Sequence, residues 1–443
     1  MPLRIGIVGA GHVGLPTAAV FARFGHQVTV YDSDESKVED LRARKMPFFE
    51  PGLEAMMNEG VDRGLINYTT EVEPAVVDAD AVFICVGTPP RISGEADLLA
   101  VEHSAQQVAT GTKVKKLVVV EKSTVPAGTA ARLTQVLERQ NPEVEFAVVS
   151  NPEFLKEGTA VEDSLEPDRI VVGTTSEHAK TVMRQVYAPL IDAGCPYIEI
   201  DPASAEIAKH ASNAFLALKI SYANALARIC ELSGADVVQV ADVMGADPRI
   251  GRSFLNAGLG FGGSCFPKDL AAFRRLSERL GYKFELLDEV ARINVEAVTS
   301  TFEKLESSLW NLSGKNVTLL GLSFKQGTDD VRFSPALELA RLLIDAGVTV
   351  TGHDPEANAT AKREVPQLTV VDDPYEAASG SHAIVICTDW DEFRKLDLPR
   401  LRSHMRFSLL VDARNLIDPS DAVASGFEYL PLGRPQPKPP GTS

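Results

Sequence analysis

A chain of 443 residues, 44% of them hydrophobic, exceeds one ordinary core and points to two or three soluble domains. Its 61 acidic against 44 basic residues leave a net charge of −17, which argues against a general nucleic-acid or anionic-membrane surface but leaves room for an anionic small ligand held by local cations. No apolar run approaches the roughly 20 residues that span a bilayer, the N-terminus has no secretory layout, and five scattered cysteines form neither a CxxC pair nor a metal cluster. The expectation is a cytoplasmic protein with no membrane, nucleic-acid or metal partner.

Leu3 to Val8 reads as a strand, Gly9-Ala-Gly-His-Val-Gly14 as a turn, the next residues to Phe24 as a helix, and Val28 to Tyr31 as a second strand ending at Asp32. The first glycine permits the turn, the second lets a pyrophosphate approach the backbone and the third allows close helix packing, so Gly9, Gly11, Val13 and Gly14 are expected to hold a dinucleotide. Asp32 can accept hydrogen bonds from the adenosine ribose and would repel a 2′-phosphate, which favours NAD over NADP. His12 reads as a loop residue near phosphate.

Strands at Ala81–Val86, Leu117–Glu121 and Phe146–Ser150 end in the polar loops Gly87-Thr-Pro-Pro90, Ser123-Thr-Val-Pro-Ala-Gly128 and Asn151-Pro-Glu-Phe-Leu-Lys-Glu-Gly158. Ligands of open parallel sheets lie beyond the carboxyl ends of strands, so these loops read together as a composite site. Thr124 suits a reacting alcohol or an ordered water. Glu153 and Glu157 would share a face if their segment makes a helical turn. A strand, helix and strand over 170–200 close the first domain.

From about Ser204 to Leu232 the chain lacks Gly and Pro and is periodic in apolar residues. It reads as one helix of roughly 29 residues, about 43 Å long, able to join domains and supply a dimer surface. Lys209 and Asn213 lie on one face of it, either as a lysine at a solvated edge with a locally paired asparagine or as a pair that holds developing negative charge. Arg249 is either a solvated loop residue or an anion clamp. In Gly258-Leu-Gly-Phe-Gly-Gly-Ser-Cys-Phe-Pro-Lys-Asp269, four glycines and a proline require the backbone to be shaped around a ligand or around its own neighbours. Cys265 is either a buried cysteine before a helix or a nucleophile, since a thiol near cations deprotonates more easily and a thiolate attacks an aldehyde well.

Val317 begins a second, shorter α/β series without a GxGxxG. Its first turn, Gly321 to Arg332, carries Lys325 and Arg332 and suits a different nucleotide-like group. The fold expected is α/β, two Rossmann-like domains joined by a long central helix and a helical dimerisation region. The divisions are 1–200 for the NAD-binding domain, 201–315 for the helical part with the cysteine loop, 316–430 for the second α/β domain and 431–443 for a proline-rich flexible tail.

Taken in order, the Gly9 loop, Gly87-Thr-Pro89, Glu121 with Ser123-Thr-Val-Pro126, Asn151-Pro-Glu-Phe-Leu155 with Glu157-Gly158, Lys209 with Asn213, Gly258 to Asp269, and Lys325 through Pro335 resemble the nucleotide-sugar dehydrogenase family over about residues 1–430. The cysteine motif resembles the UDP-glucose type, with the GDP-mannose type its nearest alternative. The resemblance implies that Gly11, Asp32, Lys37, Thr88, Thr124, Glu157, Lys268 and Arg332 contact NAD. It implies a UDP-sugar, bound in the second domain and met by Glu153, Phe154, Leu155, Glu157, Lys209, Asn213, the loop from Phe254 to Gly258, and Lys325. It further implies that Arg249 reaches the substrate of a neighbouring subunit in a homodimer or higher oligomer built on the central helix. The implied chemistry is a four-electron oxidation of an alcohol to a carboxylate with two NAD and one water. Cys265 carries the intermediate, Lys209 and Asn213 stabilise oxyanions, and Thr124-held water, Glu153 or Asp269 takes the proton. Phe333 and Ala225 stand where glutamate is expected. A 6-phosphogluconate or hydroxyacid dehydrogenase, which needs no cysteine and transfers one hydride per substrate, and a sugar-nucleotide sensor that binds without turnover are the competing classes.

Overall fold

The computed structural model describes residues 2–437. The described residues form two compact units, 2–212 with 271–282, and 213–270 with 283–437. Two helices, Pro202–Ser233 (the central helix) and Phe266–Arg279 (the cysteine helix), each change unit part-way along. Residues of the expected helical part, 201–315, thus fall in both compact units.

The first unit is built on an eight-stranded sheet of β1 (Arg4–Val8), β2 (Gln27–Tyr31), β3 (Ile66–Thr69), β4 (Ala81–Ile84), β5 (Lys116–Glu121), β6 (Glu145–Ser150), β7 (Ile170–Gly173) and β8 (Tyr197–Ile200). Their order is β3-β2-β1-β4-β5-β6-β7-β8, parallel except where β6 meets β7. The central strand β4, Ala-Val-Phe-Ile, is a fully buried apolar run because helices cover both faces, leaving one core under Leu15, Phe21 and Met183 and another under Val101, Leu133 and Leu137. The chain reverses direction of winding between β1 and β4, and the loops after β1, β4, β5 and β6 emerge at that edge.

The second unit carries β9 (Asn316–Leu320), β10 (Thr349–His353), β11 (Thr369–Val370), β12 (Ala383–Ile386), β13 (Leu409–Asp412) and β14 (Glu428–Pro431) in the order β11-β10-β9-β12-β13-β14, all parallel. The long helix Glu285–Leu309 adds Val298, Leu305 and Leu309 to this sheet's core. The tail expected to be loose from Pro431 is held at its start. Pro431 closes the edge strand β14, where its missing N–H costs no ladder bond. Leu432 is buried and Arg434 pairs with Asp236 at 3.0 Å. Residues 438–443 lie outside the described residues.

Candidate active site

In the first unit the Gly9 turn is shaped as its glycines require. Gly9 has φ 106°, and a side chain there would meet the Cys85 carbonyl at 2.8 Å. At Gly14 a Cβ would lie 1.9 Å from the Gly9 carbonyl, so helix and turn touch backbone to backbone. A Cβ on Gly11 meets nothing within 4 Å, which leaves an open cradle. The helix Gly14–Arg23 that follows, with Val13 at its N-cap, has no side-chain cap, so its first N–H groups face that cradle for an anion.

Asp32 accepts from Ala10 N at 2.8 Å and pairs with Lys37 at 2.9 Å. Burial pushes its carboxyl up, but N–H groups of Asp34 and Ala10 and the Lys37 amine outweigh burial and hold it below the usual carboxylate range. It is thus an anion at neutral pH beside the cradle. Thr88 donates to the Thr124 carbonyl at 3.0 Å, tying the loop after β4 to the loop after β5. His12 stacks on Phe48 at 3.9 Å, as befits a loop residue. The cradle, uncapped helix and acid together fit a dinucleotide without a 2′-phosphate.

The segment after β6 is not a helical turn. Residues 151–156 have no helical structure, because Pro152 keeps Asn151 out of the helical region, and helix begins only at Ala160. The expectation that Glu153 and Glu157 share a helix face is therefore corrected. Glu153 instead accepts from Leu155 N at 2.6 Å and pairs through its other oxygen with Lys209 at 3.0 Å. Lys209 is only 3% exposed, so the solvated-edge reading of that lysine is set aside. Its amine also lies 5.3 Å from the Phe154 ring, whose face carries Arg169 at 3.8 Å.

In the second unit the glycine loop is shaped around its own neighbours. Cβ atoms at Gly260, Gly262 and Gly263 would meet Asn294 Oδ1 at 2.6 Å, the Phe333 carbonyl at 2.3 Å and the Phe324 ring at 2.8 Å. Asn294 holds Phe261 through both its N–H and its carbonyl, and Asn224 accepts from Gly258 N at 2.8 Å. Cys265 immediately precedes the cysteine helix, its carbonyl accepting from Asp269 N at 2.8 Å, so its sulfur stands at a helix N-terminus. Asp269, fully buried, accepts from Asn213 Nδ2 at 2.6 Å and pairs with Lys268 at 2.7 Å. Carboxylate, amide and amine are thereby fixed relative to one another within one unit, with the Cys265 backbone bonded to Asp269.

Three family models match the chain in succession. They describe the NAD binding domain (residues 3–191), the central domain (203–296) and the UDP binding domain (318–419) of the UDP-glucose/GDP-mannose dehydrogenase family. The chain belongs to that family. The UDP-glucose 6-dehydrogenase of Rhizobium meliloti (strain 1021) is 42% identical over 437 residues, covering 98% of this chain and all of that protein. That of Pseudomonas aeruginosa is 42% identical over 447 residues, covering 98% of each. A solved UDP-glucose dehydrogenase from the hyperthermophilic archaeon Pyrobaculum islandicum superposes with TM-score 0.91 at 39% identity over 98% of each chain. The use of NAD and the fold of two Rossmann-like domains with a helical linker follow from this membership.

In this family member the second sheet closes the equivalent of the Gly9 turn with its own acid. Asp354, 1% exposed, accepts from Leu322 N, Ser323 N and the Ser323 hydroxyl at 2.7, 2.9 and 2.8 Å and also faces the Trp390 indole at 3.2 Å. Its other oxygen accepts from Glu356 N and Ala357 N at 3.0 and 2.9 Å. Lys325 lies 5.9 Å from the Phe324 ring, and Arg332, exposed, pairs with Asp330 at 2.7 Å. Phe333 takes φ 51° and is exposed. Phe254, at φ 66°, sits 6.3 Å from Phe266, and exposed Arg249 pairs with Asp247 at 2.6 Å. No helix among the described residues is long and apolar enough to cross a membrane.

Sequence reasoning gave no role to two buried carboxylates, Glu206 and Glu121. Glu206 accepts from Gly128 N and Ala130 N at 2.6 and 2.8 Å and so fixes the start of helix Thr129–Gln140. Glu121, 1% exposed, has its carboxyl pushed up by burial to about 8, with Glu206 adding in the same direction against hydrogen bonding from Ser123. The only sequence signal for either is a carboxylate interrupting an apolar or small-residue run. Because the folded form keeps a proton that the unfolded chain releases near 4.5, the stability Glu121 contributes is full below that pH and is lost progressively as pH rises to about 8. Glu121→Gln should therefore gain on the wild type with rising pH, by several degrees in melting temperature at pH 8.5 and little at pH 5. A difference independent of pH in calorimetric scans would contradict this.

Proposed function

We propose that the protein oxidises the C6 alcohol of UDP-glucose to the carboxylate of UDP-glucuronate, consuming two NAD and one water. The observation that carries the reading is Cys265 at a helix N-terminus with Asp269 buried four residues on and bound to Asn213. A one-hydride dehydrogenase needs none of that. The names of the full-length relatives support UDP-glucose as the sugar nucleotide.

Gly9, Gly11, Val13, Gly14, Asp32, Lys37, Thr88, Thr124 and Glu157, with Lys268 and Arg332, would hold NAD, which when bound would accept two electrons in each oxidation. Water held by Thr124, Glu153 or Asp269 takes the proton of the C6 hydroxyl. The Cys265 sulfur then adds to the C6 aldehyde as a thiohemiacetal, and the second oxidation leaves a thioester on the same sulfur. Lys209 and Asn213, one helical turn apart on the central helix, stabilise the oxyanion at C6 in both steps, where their effect grows with the charge. Water placed by Asp269 or Glu153 cleaves the thioester, releasing the carboxylate and the thiol. The covalent link retains the reactive aldehyde throughout. Glu153, Phe154, Leu155, Glu157, Phe254, Gly258 and Lys325 bind the UDP-sugar.

Phe215, Tyr222 and Ile229 recur every seven residues on the central helix and are at least half exposed, which supports a homodimer or larger homo-oligomer built on that face. Arg249 then reaches the neighbouring subunit's substrate.

The test offers UDP- and GDP-sugars with NAD or NADP, counting reduced cofactor per sugar and weighing the acid. Two NADH per UDP-glucose, with NAD strongly preferred, is expected. One reduced cofactor per sugar would defeat the mechanism, and preferential oxidation of GDP-mannose would replace the substrate.

A further inference from the structure

Behind the Glu153–Lys209 pair lies a second buried lysine to which the reaction above gives no part. Lys122 is 8% exposed, and its amine donates to Asn151 Oδ1 at 3.2 Å and to the Tyr187 hydroxyl at 3.3 Å. Tyr187 donates to the same Asn151 oxygen at 2.6 Å, and Asn151 Nδ2 donates to the Val171 carbonyl at 2.8 Å. Glu121 and Ser150 are the last paired residues of β5 and β6, so the Lys122–Asn151 bond is a side-chain rung just beyond the ladder. Two residues past Lys122 stands Thr124, and two past Asn151 stands Glu153. The rung thus ties together the roots of two loops whose next residues carry chemistry.

We propose that Lys122 is a positioning residue for C6 oxidation: its amine, with Tyr187, pins Asn151 and so fixes the segment that delivers Glu153 to Lys209. The inference rests on the reading that Glu153 and Lys209 serve the reaction. An apolar side chain would fill this space without the cost of burying an amine, so the lysine is explained by its donors. The groups that face it are Cys85, Glu153, Lys209 and Tyr187. Burial holds the Lys122 amine below the usual lysine range; Cys85 and Glu153 oppose this, and Lys209 adds to it.

The test compares the wild type with Lys122→Met, Lys122→Gln and Tyr187→Phe as full chains. It measures turnover of UDP-glucose with NAD and, by calorimetry, the stoichiometry and affinity of UDP-glucose binding. Lys122→Met should lose about 10-fold in kcat while KM, affinity and sites per chain stay within about twofold. Lys122→Gln, which restores a donor, should recover part of the rate, and Tyr187→Phe should lose about threefold. Undiminished kcat in Lys122→Met, or a loss of binding sites or affinity that accounts for the lost rate, overturns the proposal. If Lys122→Met does not fold, Tyr187→Phe is judged by the same two criteria. Wild-type protein that forms no NADH from UDP-glucose defeats the function itself, whereas an active wild type with an equally active Lys122→Met defeats only this role.

Discussion

Cys265→Ser is expected to lower steady-state formation of the acid by at least about a thousandfold while leaving UDP-glucose affinity within a few-fold of the wild type. Oxidation of the alcohol to the aldehyde needs no sulfur, so a single turnover should still release up to one NADH per bound sugar. The second oxidation needs a covalent adduct at C6, and a serine hydroxyl forms it poorly because little of it is ionised near neutral pH. The surroundings of the five sulfurs differ. Burial pushes the Cys85 and Cys387 thiols up to about 12. Cys195 is raised by burial and by Asp168, and Cys230 by burial and by Asp236 and Glu231. Cys265 alone stands at the start of a fourteen-residue helix, with Lys268 one turn along. Cys195→Ser should accordingly turn over within about twofold of the wild type. Near wild-type acid production by Cys265→Ser, measured by mass of the product, would end the covalent mechanism.

The parts of this fold legible in the sequence are those where local chemistry and tertiary position coincide. Gly9 and Gly14 announce themselves because no other residue tolerates a φ of 106° or a carbonyl at 1.9 Å. The central helix is legible from its length and lack of breakers, and the structure extends it only to Pro202–Ser233. Two edge strands were not visible. β3 is four residues, Ile66-Asn-Tyr-Thr69, with little apolar pattern, and β14 ends in a proline that reads as the start of a tail. Asp32 was legible as an acid at a strand end, but not that its carboxylate also holds Ala10 N. The Glu153–Lys209, Asn213–Asp269 and Lys122–Asn151 partnerships join residues 56, 56 and 29 positions apart. Periodicity assigns each residue a face, but only the folded sheet and helices decide what stands opposite.

The Glu153–Lys209 pair offers the sharpest separation of stability from catalysis. Lys209→Met leaves the Glu153 carboxylate, 6% exposed on its side chain, without its ion-pair partner and with Leu155 N as its remaining donor. Breaking a buried pair this way costs about 3 to 5 kcal/mol, and removing an oxyanion partner costs about a hundredfold to a thousandfold in kcat. Glu153→Gln together with Lys209→Met replaces the ion pair by two neutral groups of similar volume, so most of the lost stability should return. The rate should not, because the charge that the C6 oxyanion requires is still missing. Denaturant midpoints and NADH turnover of the four proteins in this cycle check both halves. A double variant as active as the wild type would show that Lys209 serves only to neutralise Glu153. A Lys209→Met protein that turns over within a few-fold of the wild type would remove the lysine from the chemistry and leave Asn213 to hold the developing charge.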